Sequence, residues 1–346
     1  MGNLMSYSGL ATKIRAMRSR LLTDAQYREL AEQKSVPQAV AWLKQRPAYE
    51  HTWASLSEDE LHRGRIEQLL VNSVYEDFAK LYRFANVEQR KFLNLYFRRY
   101  EVAIMKECLN MIFDHRDVNL DLSLFKPFFD KHSQLDISRL TASGSVEEFV
   151  QNLKGSDYYA PLTYLANLSE PTLFDYEMTL DLYYFRVLWK TKDKILKKRD
   201  LEEITRACGS KFDLLNLQWI YRCKKYYHMA SADIYALLIP VNYKISRRET
   251  AALVEAENMN LFESLLAQTY YGRRFERLGA DTLEQMYSWI MKHILLEETR
   301  KDPYSVACIY CYLYLKEHEI DRLTTLLECV RYGISPDDTM QYILKS

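Results

Sequence analysis

Residues 302–333 read DPYSVACIYCYLYLKEHEIDRLTTLLECVRYG, and this stretch decides the fold class. Asp302 is placed to cap a helix whose first turn opens at Pro303, where a missing N–H removes nothing because that donor has no partner inside the helix. Further on, Ile320, Leu323, Leu327 and Val330 recur at intervals of three and four and share one helix face. Gly333 stands where a left-handed terminating residue is wanted. The polar run around Lys316 predicts a break, so the stretch reads as an aromatic helix followed by a leucine-rich one.

The same grammar extends back through the chain. Ser57 with Glu60 forms a capping box, in which each side chain satisfies an orphan backbone donor of the other, and a long helix follows through Leu61, Leu69, Phe78 and Leu81. Asn86 is placed to cap the next, whose face carries Leu93, Tyr96, Tyr100 and Ile104; the loop 114–121 ends it. Thr172 with Asp175 opens a helix with Phe174, Met178, Leu182, Phe185 and Trp189 on one face, and Asp281 with Glu284 opens another with Leu283, Met286, Ile290 and Ile294. The N-terminal segment shows helical spacing through Ile14, Met17, Leu21 and Leu22, then a short helix at Val36, Val40 and Leu43. No run of alternating β-branched residues bounded by hairpin turns occurs, so the fold class is all-α.

Three registers repeat. The helix starts at 57, 172 and 281 are 115 and 109 residues apart; Glu101, Asp213 and Glu319 fall at comparable places in the following helices. The segments VPQAVAWLKQRPAY, VEEFVQNLKGSDYY and LFESLLAQTYY end at Tyr49, Tyr159 and Tyr271, steps of 110 and 112. That period exceeds the roughly 30–50 residues of helix-pair solenoids, which predicts three similar helical domains over 1–115, 116–230 and 231–346. The N-terminal segment ends like a finished unit while the last unit runs out near Ser346, so the two ends are expected to complete one unit, with the Ile14–Leu22 helix against Leu323–Val330.

Two stretches carry a family resemblance. Tyr304 to Ile320 with Leu323 to Gly333, including Tyr304, Leu315, Glu319 and Leu323, resembles the end of the C subunit of V-type (A/V-type) ATPases, known in eukaryotes as the d subunit. KFDLLNLQWIYRCK, residues 211–224, is similar to that family's acidic–Asn–Leu…Arg…Lys helix at Asp213, Asn216, Leu217, Arg222 and Lys224, and Leu238, Ile239 and Pro240 match its apolar-Pro turn. The resemblance spans the chain. It implies three similar helical domains in a pseudo-three-fold funnel, and a non-catalytic coupling subunit on the cytoplasmic face of a membrane. Its implied partners are the central-shaft subunits of the soluble motor and the membrane ring of c-type proteolipids, with torque passed between them for proton or sodium transport. It implies no cofactor, and the motif positions named are expected to be structural.

Composition bounds the alternatives. The 47 acidic and 47 basic residues balance, which argues against nucleic acid as the main partner, because phosphate binding relies on a basic excess. No apolar run approaches the roughly 20 residues of a membrane helix, and no charged-then-apolar leader opens the chain, so a soluble intracellular protein is expected. Six scattered cysteines read as reduced thiols; Cys308 and Cys311 form a CxxC that lacks the further ligands zinc requires. No P-loop pattern occurs, and nine glycines leave few places for backbone N–H groups to surround phosphate. The seven histidines never adopt HExxH spacing, and no catalytic or metal residues are assigned. Two other readings stay open: a general α-helical scaffold or adaptor unrelated to rotary motors, and an enzyme whose site is assembled from dispersed residues. The cluster KTKDKILKKR, 190–199, reads either as a solvated helix face or as a contact for an acidic partner or lipid headgroups.

Overall fold

Helices are the only regular elements in the computed structural model, which describes residues 2–54, 61–114, 122–168, 170–274 and 283–345. In chain order they are α1 (Gly2–Arg18), α2 (Asp24–Ala31), α3 (Val36–Lys44), α4 (Glu50–Trp53), α5 (Arg63–Phe84), α6 (Val87–Phe113), α7 (Lys126–His132), α8 (Ile137–Thr141) and α9 (Val146–Asn152). There follow α10 (Tyr159–Ala166), α11 (Leu173–Ile195), α12 (Lys198–Lys225), α13 (Ser231–Leu237), α14 (Arg247–Val254), α15 (Met259–Gln268), α16 (Leu283–Lys301), α17 (Val306–Arg331) and α18 (Pro336–Lys345). The chain divides into two compact units, one made of 1–87 with 288–346 and the other of 88–287.

In the first unit α17 packs against α1, α2, α3, α5 and α18. Every residue from Val306 to Leu313 is buried, so this half of α17 is enclosed on all sides, as its unbroken apolar text requires. Beyond Tyr314 the buried positions narrow to one face, with Lys316, Glu319, Ile320, Leu323 and Leu327 among them. Two expectations are corrected here. The helix runs unbroken through Lys316, because that lysine finds its partners inside the unit. It also begins at Val306 rather than Pro303: α16 continues to Lys301, and 302–305 is the turn between them, in which the Tyr304 N–H donates to Asp302 Oδ1 at 2.9 Å. The far end closes as read. Gly333 has φ +67°, its N–H donates to Val330 O, and the Ile334 N–H donates to Cys329 O, the paired bonds of a Schellman termination.

The N-terminal segment belongs to this same unit. Here α1 stops at Arg18, so Leu21 and Leu22 lie in a loop, and an additional helix, α2, starts from a Thr23–Gln26 capping box. Ser35 caps α3 through Gln38 N–H. Helix α1 lies against α5 and α17, α2 against α17 and α18, and Arg28 pairs with Asp337 at 3.0 Å. His62 caps α5 by accepting from Arg65 N–H; the expected box at Ser57 and Glu60, and the cap at Asp281, lie outside the described residues.

In the second unit α12 packs against α11, α13, α14 and α15, and α10 against α9 and α11. The Thr172–Asp175 capping box is present at the start of α11, yet its buried residues are Tyr176, Leu180, Tyr184, Phe185, Leu188 and Lys192, of which Phe185 alone belongs to the expected face. Phe174, expected in the core, is exposed, and Met178, Leu182 and Trp189 are half-buried. Both sides of this helix carry apolar residues at helical spacing, so periodicity alone does not select the deeper face. Lys192 is withdrawn from solvent, its ammonium 4.0 Å above the Trp189 ring and 2.7 Å from Asp193. Helices α6, α12 and α17 begin at residues 87, 198 and 306, steps of 111 and 108.

Candidate functional site

Each of those three helices buries a carboxylate that is bonded to a buried tyrosine. On α17, Glu319 is 3% exposed and Tyr49 is fully buried; Tyr49 OH donates to Glu319 Oε1. The Leu22 N–H donates to Glu319 Oε2 at 2.6 Å, one residue ahead of the cap of α2. Lys316, one turn earlier and also fully buried, donates to Tyr49 OH at 2.9 Å and to Glu319 Oε1 at 3.3 Å, with its ammonium 4.2 Å above the tyrosine ring. A buried ammonium and carboxylate are tolerable only when paired and hydrogen-bonded in this way.

On α6, Glu101 accepts from Ser133 Oγ–H and, at 2.7 Å, from Tyr158 OH. Ser133 precedes α8, which Asp136 caps through Arg139 N–H. Burial pushes the Glu101 carboxyl above its ordinary value, against the two hydroxyl donors and Arg98, which pull it down. Arg98 itself reaches Asp157 at 2.6 Å.

On α12, Asp213 accepts three consecutive backbone N–H groups, from Tyr243 at 3.1 Å, Lys244 at 2.6 Å and Ile245 at 3.2 Å, together with Tyr271 OH at 3.1 Å. Those residues lead into the Ser246–Glu249 capping box of α14. Burial again pushes the carboxyl up, opposed by its backbone donors. Gly209 makes the approach possible, since a Cβ there would lie 2.5 Å from the Tyr243 ring. Tyr49, Tyr158 and Tyr271 are all held as neutral phenols, pushed upward first by burial and then by the carboxylate each one faces.

The construction is the same each time. A carboxylate on a long helix collects donors from the loop before one short capped helix, and from a tyrosine just beyond a second one: α2 and α3, α8 and α9, or α14 and α15. With its lone pairs engaged by the fold, each carboxylate ties chain segments together. The register read from the sequence ends its second segment at Tyr159, whereas the tyrosine that reaches Glu101 is Tyr158, the residue before α10 begins.

The remaining motif positions on α12 tie the helix to the same neighbourhood. Asn216 donates to Ile239 O at 3.0 Å and accepts its N–H at 2.9 Å, fixing the turn that leads to the exposed Pro240. Leu217 is buried, and Lys224 donates to Val254 O at 2.7 Å, satisfying the last carbonyl of α14. Arg222 is exposed and pairs with Glu284 at 2.9 Å. On α17, Leu323 is fully buried, Leu315 is half-buried, and Tyr304, in the preceding turn, lies under the Arg15 guanidinium at 5.8 Å.

The six cysteines are buried free thiols; burial pushes Cys311 up to about 11. Among the described residues no group of three or more His, Cys, Asp or Glu could hold a metal ion. No helix among them is long and apolar enough to cross a membrane.

Comparison with known proteins follows the same span. The sequence model of the ATP synthase (C/AC39) subunit family matches residues 10–342. The C subunit of the A-type ATP synthase of Pyrococcus abyssi is 25% identical over 97% of this chain and 90% of its own length. Its namesake from Thermococcus kodakarensis is 22% identical with the same coverage, and that of Methanosarcina mazei is 24% identical over 96% of this chain and 91% of its own.

Proposed function

Because the chain belongs to the ATP synthase (C/AC39) subunit family, we propose that it is the non-catalytic coupling subunit of a rotary A/V-type ATPase. It links the central rotor shaft of the soluble motor to the c-type ring in the membrane and passes torque between them for proton or sodium transport. It works on the cytoplasmic face, peripheral to the membrane, and has no nucleotide site of its own. The reading as a scaffold unrelated to rotary motors is set aside by a family match that runs through nearly the whole chain.

The observation that carries the mechanical part is the set of buried ties at Glu101, Asp213 and Glu319. A body that transmits torque must resist deformation between its two contacts. Close packing supplies stiffness against compression, and directional buried bonds add resistance to sliding, because displacing any of them leaves a charged or polar group unpaired. Aromatic side chains exposed at helix ends, Tyr226 and Tyr227 after α12 and Tyr332 after α17, suit contacts with protein partners, where tyrosine joins apolar area to a hydroxyl.

The test is reconstitution of the rotary complex in sealed vesicles with and without this chain. Without it, the soluble motor is expected to hydrolyse ATP with no ion gradient, and the full-length chain is expected to restore pumping. Ion pumping at undiminished yield per ATP in its absence would overturn the proposal.

A further inference from the structure

The joint between α11 and α12 concentrates more positive charge than the fold uses. Residues 190–199 carry six cations and one acid in a chain whose total charge is zero. Lys192 is consumed by Trp189 and Asp193, and Arg199 pairs with Glu203 at 3.0 Å. Lys197 lies near Glu88, a carboxyl held below its ordinary value first by its hydrogen bond from Lys91 and to a lesser degree by Lys197. Lys190, Lys194 and Lys198 are exposed, and no described carboxylate makes an ion pair with them.

The backbone brings these charges to a tip. Helix α11 ends at Ile195 and α12 starts at Lys198, so two helices of 23 and 28 residues are joined by two residues. Lys198 makes the reversal in the left-handed region, φ +50°, which disfavours a side chain of this kind. Lysines at the start of α12 also oppose the positive end of its dipole. Both features concentrate cations at some expense to the fold.

We propose that this tip docks on an anionic lipid surface. The choice of lipid over an acidic protein segment rests on what surrounds the lysines. A protein interface needs an apolar or aromatic centre, and lysine is depleted from such centres. Along α11, α12 and their joint no large apolar side chain is exposed between residues 175 and 225, with Leu196 within the tip buried and Ile195 half-buried; Val87, next to the Glu88 that Lys197 faces, is exposed but is too small to form such a centre. Flexible ammonium groups without an apolar core suit a fluid layer of phosphates, which attracts each lysine separately and asks for no fixed geometry. The attraction is screened by salt, so it weakens beyond a Debye length.

The experiment needs only the full-length chain. Its partitioning onto phosphatidylcholine vesicles with and without about 30% phosphatidylglycerol is measured by flotation at low and high salt. Binding is expected only with the anionic lipid and to fall as salt rises. Lys190→Gln/Lys194→Gln/Lys198→Gln is expected to weaken it by roughly fivefold for each lysine removed, about a hundredfold in total. The control, Lys126→Gln/Lys131→Gln/Lys154→Gln, removes the same charge from exposed positions elsewhere in the same unit and is expected to bind like the parent. Equal binding to neutral vesicles, or an equal loss in the control, would overturn the proposal. So would a tip variant that keeps its vesicle binding but loses binding to a purified shaft or ring component. Failure of the vesicle assay leaves the coupling role untouched, since reconstituted pumping is read separately.

Discussion

The ties at Glu319 and Asp213 are built alike and neutralised differently. Each carboxylate lies on a long helix and bonds a tyrosine and a loop, but the position one turn earlier differs: Lys316 supplies an ammonium to the first, whereas the second has Ser210 there and relies on three backbone N–H groups. Glu101 is intermediate, with Arg98 one turn earlier turned toward Asp157 and two hydroxyls as the carboxylate's own donors. One architecture therefore tolerates an ion pair, a nest of amides or a pair of hydroxyls as the means of burying charge. The three should fail by different amounts when the charge is removed.

The largest effect is expected at Glu319. Glu319→Gln leaves the Lys316 ammonium buried without its counter-charge and should lower unfolding stability by about 3–5 kcal/mol in denaturant titration. Adding Lys316→Met should recover most of that loss, because the uncompensated buried ammonium is then gone and the amide oxygen at 319 can still accept one of the Tyr49 and Leu22 donors. A double variant as unstable as the single one would show that the tyrosine and Leu22 bonds, rather than the ion pair, dominate.

Asp213→Asn should come next, at about 2–3 kcal/mol, since an amide NH₂ turned toward backbone N–H groups cannot accept from them. A loss below about 0.5 kcal/mol would mean the loop 243–245 finds other acceptors. Gly209→Ala sharpens the same contrast: its methyl group meets the Tyr243 ring, and the strain of about 1–3 kcal/mol is partly offset by the better helix propensity of alanine, about 1 kcal/mol. Protection of the 243–245 amides from hydrogen exchange should fall in this variant while the Leu22 amide is unaffected.

Glu101→Gln should be mildest, below about 1 kcal/mol near neutral pH, because both partners are hydroxyls that can turn to accept from the amide. Its pH dependence carries the sign. The folded state raises this carboxyl, so it binds the proton more tightly than the unfolded chain does. The associated stability is present below the ordinary glutamate value of about 4.3 and is lost as pH rises from there through the raised one. The deficit of the variant should therefore be largest in acid and shrink toward neutrality. A deficit that grows with pH would reverse the assignment.

The sequence makes the ties partly legible. Repeat spacing puts Glu101, Asp213 and Glu319 at comparable places because long helices preserve register, and capping residues mark Thr172 and Gly333 because their chemistry is local. The failures are equally physical. Lys316 reads as a helix break since a buried ammonium has no local justification; its phenol partner, Tyr49, is 267 residues away. Phe174 reads as buried because α11 is apolar on two sides. Tyr159 and Tyr158 are chemically identical neighbours, separated only by where the chain enters α10.

The bond from Tyr49 to Glu319 also sets a timetable for synthesis. Apolar faces of α1 to α3 find their seat on α17, whose first residue, Val306, lies far downstream of Trp53. At roughly 5–20 residues per second, the N-terminal helices wait on the order of 10–50 s on the ribosome before that seat emerges. Meanwhile residues 88–287 can close on themselves. Nascent chains paused midway through α17, with residues 88–287 outside the ribosome and most of α17 still within it, should thus hold a protease-resistant middle and a sensitive beginning, which makes the N-terminal helices the segment most in need of a chaperone.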